Sequence, residues 1–381
     1  MEVNTMRPRY LTRVDQIGAL STGEKATLRK VENKFAFRSN DYYLSLIDWN
    51  DPMDPIRRIA VPSLLECEET GFLDPSHEED YTVAPGLQHK YRETSLLLVS
   101  DVCGTFCRFC FRKRLFMNMC EEVMRDVTDG IAYIRNHPEV TNVLLTGGDP
   151  LILATSKLEP IVRAVRAIDH VGIIRIGSKM PAFNPYRIID DPSLLEMIGK
   201  YSTDEKRIYV MAQFNHPREL TPQAVEALAL LQKAGAIVVN QTPLLRGVND
   251  DPVTLAELFK TLSYIGVPPY YVFQCRPTLG NRMFQVPVEE GYQIFEGAKG
   301  RVSGLAKRAR FVMSHATGKI EIAGLTEGCA FFKYHQAADP ANIGKFMAFH
   351  RNPSALWFDD YTEPVTDMPV PAEFMETTGS F

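Results

Sequence analysis

The sequence predicts an α/β fold built on a partial (βα)6 parallel barrel, with an N-terminal helical extension before it and a C-terminal extension after it. Three observations predict it. First, six short, β-rich apolar runs stand at 95–100, 142–147, 172–177, 207–213, 236–241 and 269–274. Second, helical patterns separate them, as in "PQAVEALALLQKAG" at 222–235, which closes on a glycine C-cap signal. Strands alternating with helices make βαβ units, and so a parallel sheet buried on both faces. Third, each run ends in polar or glycine-containing residues: the cysteine loop, "TGGDP", "GSK", "QFNHP", "NQTPLLRG" and "QCRP". Parallel barrels bind ligands at the C-terminal ends of their strands, so these patches should converge on one face. Six strands are too few to close a (β/α)8 barrel, so an open barrel is expected. A doubly wound open sheet is the alternative, and it too binds at the strand carboxyl ends.

The elements follow in order. Residues 1–90 are expected as a mostly helical extension. Ser21 and Glu24 stand at capping-box spacing before a helical stretch. "NDPMDPIRRIAVPSLLE" reads as proline-punctuated turns leading into a short helix. Residues 91–290 hold the barrel, and 291–381 form a C-terminal segment. From about residue 335 the chain, which ends proline-rich, reads as an extended arm or a partly disordered end.

Composition narrows the class. The chain has 381 residues, 45% hydrophobic and 23% charged, which is ordinary globular composition. A net charge of −5 speaks against a nucleic-acid partner. "MEVNTMRPRYLTR" has no apolar signal region, and no apolar run reaches membrane length, so no membrane partner is expected. Seven cysteines, odd in number and mostly scattered, argue against a secreted disulfide scaffold. The expected compartment is a reducing cytoplasm.

"VCGTFCRFCFRKRLF" (102–116) carries Cys103, Cys107 and Cys110 just after the first barrel strand. A zinc site would need a fourth ligand, with Cys120 or His89 as candidates. A disulfide plus a spare thiol is a further alternative. A 4Fe–4S cluster usually takes four cysteines; three leave one iron open to chelate S-adenosylmethionine. Spacing of three and then two residues is the radical S-adenosylmethionine signature. In "TGGDP", Gly147 and Gly148 allow close backbone approach to a ligand, and Asp149 is placed to accept from the methionine ammonium.

From about residue 40 to 325 the chain resembles the lysine 2,3-aminomutase family. The resemblance rests on "YYLSLIDWNDPMDPIRRIAVPS", "PGLQHKY", "CGTFCRFCFRKR", "LLTGGDPL", "IRIGSKMPAFNPYRI", "QFNHPREL", "NQTPLLRGVND", "PYYVFQC" and "GKIEI". It implies an isomerase that uses a 4Fe–4S cluster, S-adenosylmethionine and pyridoxal 5′-phosphate. Cys103, Cys107 and Cys110 would hold the cluster, and Gly147, Gly148 and Asp149 would line S-adenosylmethionine. Arg112 would pair with the substrate carboxylate, and Lys319 would be the Schiff-base lysine. Lys90 and Tyr91 would bind the cofactor phosphate. His216 and Gln241 would contact cofactor or S-adenosylmethionine. Lys113 and Arg114 have no assigned role, a surface position being the simplest expectation. The implied partners are a small amino acid substrate and a reductant of flavodoxin or ferredoxin type; a homo-oligomer is compatible.

The chain also departs from the pattern. Lysine-specific members present two aspartates to the substrate ammonium. Here Arg276 stands at the first position and Met313 or Ser314 near the second. A desolvated like-charge contact costs several kcal/mol. The expected substrate is therefore an α-amino acid other than lysine, such as glutamate or another acidic or polar one, converted to its β-isomer through a 5′-deoxyadenosyl radical. Thr94 replaces a second phosphate-binding arginine, so an enzyme of the same fold working without pyridoxal phosphate is an alternative; a non-catalytic iron–sulfur protein is another. Asp251 stands in place of a family zinc ligand, and no cysteine follows Cys329, so no structural zinc is expected.

Overall fold

The computed structural model describes residues 7–117, 122–123 and 126–365. The chain opens with β1 (Tyr10–Leu11) and β2 (Ser39–Asn40), which pair antiparallel. The remaining strands form one twelve-stranded sheet in chain order. It starts with an antiparallel hairpin, β3 (Thr82–Ala84) and β4 (Leu87–Tyr91), turned at Gly86, whose φ is +70°. The parallel strands are β5 (Thr94–Ser100), β6 (Asn142–Gly147), β7 (Ile173–Ser178), β8 (Ile208–Ala212), β9 (Ile237–Leu244), β10 (Pro269–Gln274) and β11 (Arg310–His315). Antiparallel strands β12 (Gly318–Leu325), β13 (Cys329–Ala337) and β14 (Phe346–His350) complete it. The edges, β3 and β14, do not pair, so the barrel stays open.

The six expected strands are all present, and β11 adds a seventh parallel strand beside β10. Residue 90 falls inside β4, and residue 290 falls inside the helix Val288–Lys299. The sheet runs through both points. The tail also differs from the expected arm: β13 and β14 pair through five residues, and Trp357 and Tyr361 are buried. Residues 366–381 lie outside the described residues.

Helices cover the outer face of the parallel strands. Three of them start the same way: Asp191, Thr221 and Asp251 each cap a backbone N–H three residues on, with proline next in the chain. The side-chain oxygen satisfies a free helix donor, and proline suits the first helical position because its missing N–H is not needed there. Asp251 thus has a structural task.

A second core joins the N-terminal extension to the barrel mouth. Val14, Ile17, Tyr43, Ile56 and Ile59 pack with Phe109, Phe183 and Phe284. The Ser21–Glu24 capping box forms as expected. The extension also holds the cysteine loop by hydrogen bonds. Arg38 Nε donates to the Cys103 carbonyl at 2.9 Å, and the Arg108 N–H donates to the Ile59 carbonyl at 2.9 Å. Arg108 forks onto Glu66 at 2.7–3.1 Å, and Glu66 has no exposed surface. Removing one partner of a buried ion pair costs about 3–5 kcal/mol, because the other charge stays desolvated and unpaired. Glu66→Gln should therefore lower stability by about that amount in a denaturant titration. A loss under about 1 kcal/mol would show that the loop holds without this pair.

Candidate active site

One cavity of about 310 Å³ opens among the strand ends, lined by Cys103, Cys107, Cys110, Gly148, Asp149, Lys90, Tyr91, Arg112, Gln241, Arg276 and Lys319. Residues from β4 through β13 thus meet in one space. The cysteine loop hangs from β5 and brings three free thiols to the cavity wall. Burial pushes each thiol above its ordinary pKa. His89 is not a fourth ligand: its ring nitrogens meet the Tyr133 hydroxyl and the Arg92 carbonyl, both at 3.0 Å. Cys120 lies outside the described residues. Among the described residues no trio of His, Cys, Asp or Glu converges as ligands of one ion would. Three sulfurs spread along one cavity wall, with no fourth protein donor beside them among the described residues, fit a multi-iron cluster with an open iron.

The two glycines line the cavity and also pack closely on the backbone behind it. Gly147 has φ +109°, and a Cβ there would lie 2.5 Å from the Ser100 carbonyl oxygen. A Cβ on Gly148 would lie 2.4 Å from the Val102 carbonyl oxygen. The Asp149 N–H donates to that same carbonyl at 2.8 Å. The end of β6 is therefore docked on the backbone entering the cysteine loop. Asp149 is committed too. Its carboxylate accepts the N–H groups of Leu151, Lys179 and Met180 at 2.7–3.1 Å, and the Ser178 hydroxyl. These four donors tie β6 to β7 and fix the carboxylate at the cavity wall. Burial raises its pKa to about 6 despite them.

The basic run is not a surface feature. Arg112 and Lys113 are 6% and 7% exposed. Arg112 Nε and Nη2 fork onto Glu78 at 2.7–3.1 Å, and Nη1 donates to the Thr146 hydroxyl at 3.0 Å. One hydrogen on Nη1 and one on Nη2 are not used by these bonds, and Arg112 lines the cavity. Arg114 bridges Glu78 at 2.7 Å and Glu122 at 2.8 Å. Lys113 donates to the Arg108 carbonyl at 3.1 Å, so it braces the loop. Burial alone would raise the Glu78 carboxyl, but Arg112, Arg276 and Arg114 hold it well below the usual range. Nothing local in "DPSHEED" marked Glu78, whose partners lie 34 and 36 residues away.

Arg276 is half-buried, stacks 3.6 Å from the centre of the Phe111 ring, and leaves its buried Nη1 without a partner. His216 is not on the cavity wall. It caps the turn Pro217–Glu219, with Nδ1 accepting the Arg218 N–H at 3.2 Å. Lys90 donates to the His315 carbonyl at 2.5 Å and faces the Tyr81 ring. Burial, and then Arg276, brings its pKa down to about 8.

Lys319 sits on β12 among aromatic rings, 4.9 Å from the centre of Tyr271 and 5.5 Å from that of Tyr91. Its hydrogen bond goes to Gln336 Oε1 at 3.3 Å. Burial, followed by the charges of Arg175, Arg276 and Lys90, lowers its pKa to about 7. Half of the amines are then neutral and nucleophilic at neutral pH. The rate of Lys319 modification by an amine-reactive aldehyde should rise with pH through a midpoint near 7. Peptide mapping after borohydride reduction measures it; a midpoint near the ordinary lysine value of about 10.4 would refute the arrangement.

Residues 97–259 match the radical SAM superfamily. The "Putative L-lysine 2,3-aminomutase" of Aquifex aeolicus is 58% identical over 360 residues, spanning 94% of this chain and 96% of that protein. The L-lysine 2,3-aminomutase of Clostridium subterminale is 43% identical over 69% of this chain and 62% of its own length. The glutamate 2,3-aminomutase of Clostridioides difficile is 34% identical over 77% of this chain and 68% of its own length. Identity extending nearly the full length of two chains, over a sheet that presents three cysteines and a lysine to one cavity, places the protein: it belongs to the lysine 2,3-aminomutase family of radical S-adenosylmethionine enzymes.

Proposed function

We propose that the protein is a pyridoxal phosphate-dependent 2,3-aminomutase whose substrate is an α-amino acid with an acidic side chain, glutamate being the first candidate. The observation that carries this reading is Arg276: a half-buried arginine with a buried, unpartnered Nη1, in the same cavity as the Lys319 amine and the three thiols. A buried cationic donor without a partner is costly unless a ligand completes it. A carboxylate fits its planar fork, whereas the ammonium of lysine would meet a like charge.

When bound, the cluster with S-adenosylmethionine supplies a 5′-deoxyadenosyl radical for hydrogen abstraction at Cβ, and pyridoxal phosphate supplies a carbonyl that carries the migrating nitrogen. The chain's residues do the positioning. Arg112, oriented by Glu78 and Thr146, offers its outer fork to the α-carboxylate. Arg276 then reads the side-chain carboxylate. Lys319 presents a neutral amine to the cofactor carbonyl, in the place where Tyr91, Tyr271 and Phe273 exclude water. Holding the reacting centres in one geometry is the protein's main contribution to rate. An external one-electron donor of flavodoxin or ferredoxin type completes the requirement.

The test supplies glutamate, aspartate, lysine, alanine and arginine separately to reconstituted enzyme with dithionite and S-adenosylmethionine. β-Glutamate or β-aspartate is expected, and Arg276→Ala should reduce kcat/KM for that substrate by about a hundredfold or more. β-Lysine as the sole product would sink the reading. Absence of any Lys319 adduct under saturating cofactor would instead support the same fold working without pyridoxal phosphate.

A further inference from the structure

The basic run after the cysteines holds one cation without an acid. Arg112 and Arg114 share Glu78, and Arg114 also meets Glu122. Arg108, inside the cysteine loop, forks onto Glu66. Lys113 pairs with no carboxylate among the described residues. It is 7% exposed, donates to the Arg108 carbonyl at 3.1 Å, and lies 4.5 Å from the centre of the Phe35 ring. An ammonium has three donors, and neither a carbonyl nor a ring carries a full negative charge. Of the acids, Glu66 acts on it most, but the Glu66 carboxylate already accepts from Arg108 and from the Ser63 N–H. A buried cation is costly unless an anion lies close.

Position names the anion. Arg112 lines the cavity, whereas Lys113 is absent from its wall. Lys113 instead lines a recess of about 10 Å³, shared with Phe35, Phe106, Phe116, Cys107 and Cys110. Cys107 and Cys110 line both spaces, so the recess shares part of the cavity wall. The ammonium and the Cys110 thiol also act on each other. Three thiolates on an iron–sulfur core make an anion, and one added electron makes it more negative. A nearby cation stabilises the more negative state most, because Coulomb attraction grows with charge. We propose that Lys113, held against Cys107 and Cys110 from outside the cavity, is the cation that raises the reduction potential of the cluster. It thereby favours the step in which one electron passes from the external donor to the cluster; no bond forms or breaks there. The proposal rests on Cys103, Cys107 and Cys110 holding the cluster. It makes Lys113 a tuning residue, acting through the cysteines and not on the substrate.

The test is a potentiometric titration of the reconstituted full chain without S-adenosylmethionine, with the reduced cluster read by electron paramagnetic resonance. Lys113→Met removes the charge and keeps the apolar stem. Lys113→Gln removes the charge and keeps a donor for the Arg108 carbonyl. Lys113→Arg keeps the charge. At a fixed potential, the Met and Gln variants should each lower the reduced-to-oxidised ratio by about tenfold or more, a downward midpoint shift of about 59 mV or more for one electron. Lys113→Arg should stay within about threefold of the native ratio. Iron and sulfide contents should match the native protein in all three. A native midpoint in both the Met and the Gln variants would overturn the proposal. So would an equal shift in all three variants, or a shift with Met alone, which would assign the effect to bracing of the loop. Loss of the cluster from the Met and Gln variants alike would make Lys113 an assembly residue and overturn it as well. A native protein that takes up no four-iron cluster would overturn the reading of the three cysteines, and this proposal with it.

Discussion

A single buried carboxylate lets this cavity exist in its present form. Glu78 takes the side fork of Arg112 and an Nη2 donor of Arg114, and its charge also reaches Arg276. Three guanidiniums in one desolvated region would repel each other strongly without it. Glu78 belongs to a strap that crosses the cavity rim. Phe72 bridges to Thr278, Ser76 donates to the Ser314 carbonyl at 3.0 Å, and Tyr81 donates to the Ala316 carbonyl at 2.8 Å. The strap thus joins the end of β10 to the β11–β12 hairpin and delivers its acid to arginines on the cysteine loop. Charge balance and the shape of the rim are settled by the same contact.

The remaining positive excess has a chemical consequence. Arg175, Arg276 and Lys90 all press on Lys319, and burial adds to them. The cations that suit anionic ligands therefore also free the lysine of its proton. A cavity built for a phosphate and carboxylates, in the proposed reading, prepares its own nucleophile. Nearby acids would cancel the effect. Glu78 is held by two arginines, and Asp149 by four local donors, so neither is left to pair with the lysine.

Much of this fold was legible in the sequence, and the reason is physical. Parallel strands covered by helices are mostly apolar, so six of them stood out as apolar runs even where, as with Arg175 in β7, a polar residue interrupts them. β11 did not: "RFVMSH" is shorter in apolar length and ends in polar residues. The β3–β4 hairpin was hidden because its strands are short and half-polar, with burial on one side only. The three cysteines were legible because their spacing carries the chemistry. Arg175 and Glu78 were not, since their roles depend on partners brought together by the sheet and the strap. The glycines and Asp149 were found and do line the cavity, but their contacts with the backbone of the cysteine loop and of β7 were not legible, because those partners come from other elements. His216 was placed in the site by pattern, yet its ring is used by its own turn.

Substrate choice then comes down to which charges remain unspent. A lysine substrate needs an acid for its far ammonium. The acid nearest that end is Glu78, and its carboxylate already accepts from Arg112 Nε and Nη2 and Arg114 Nη2. Drawing it away would leave two buried guanidiniums unpaired, a cost of several kcal/mol that one ammonium contact does not recover. An acidic substrate asks for nothing to move. It offers a carboxylate to Arg276, whose fork is open and whose ring partner Phe111 fixes its plane. In the proposed reading, the same arginine favours one class of substrate and disfavours the other, and discrimination of this kind is strongest when attraction and repulsion act at one atom.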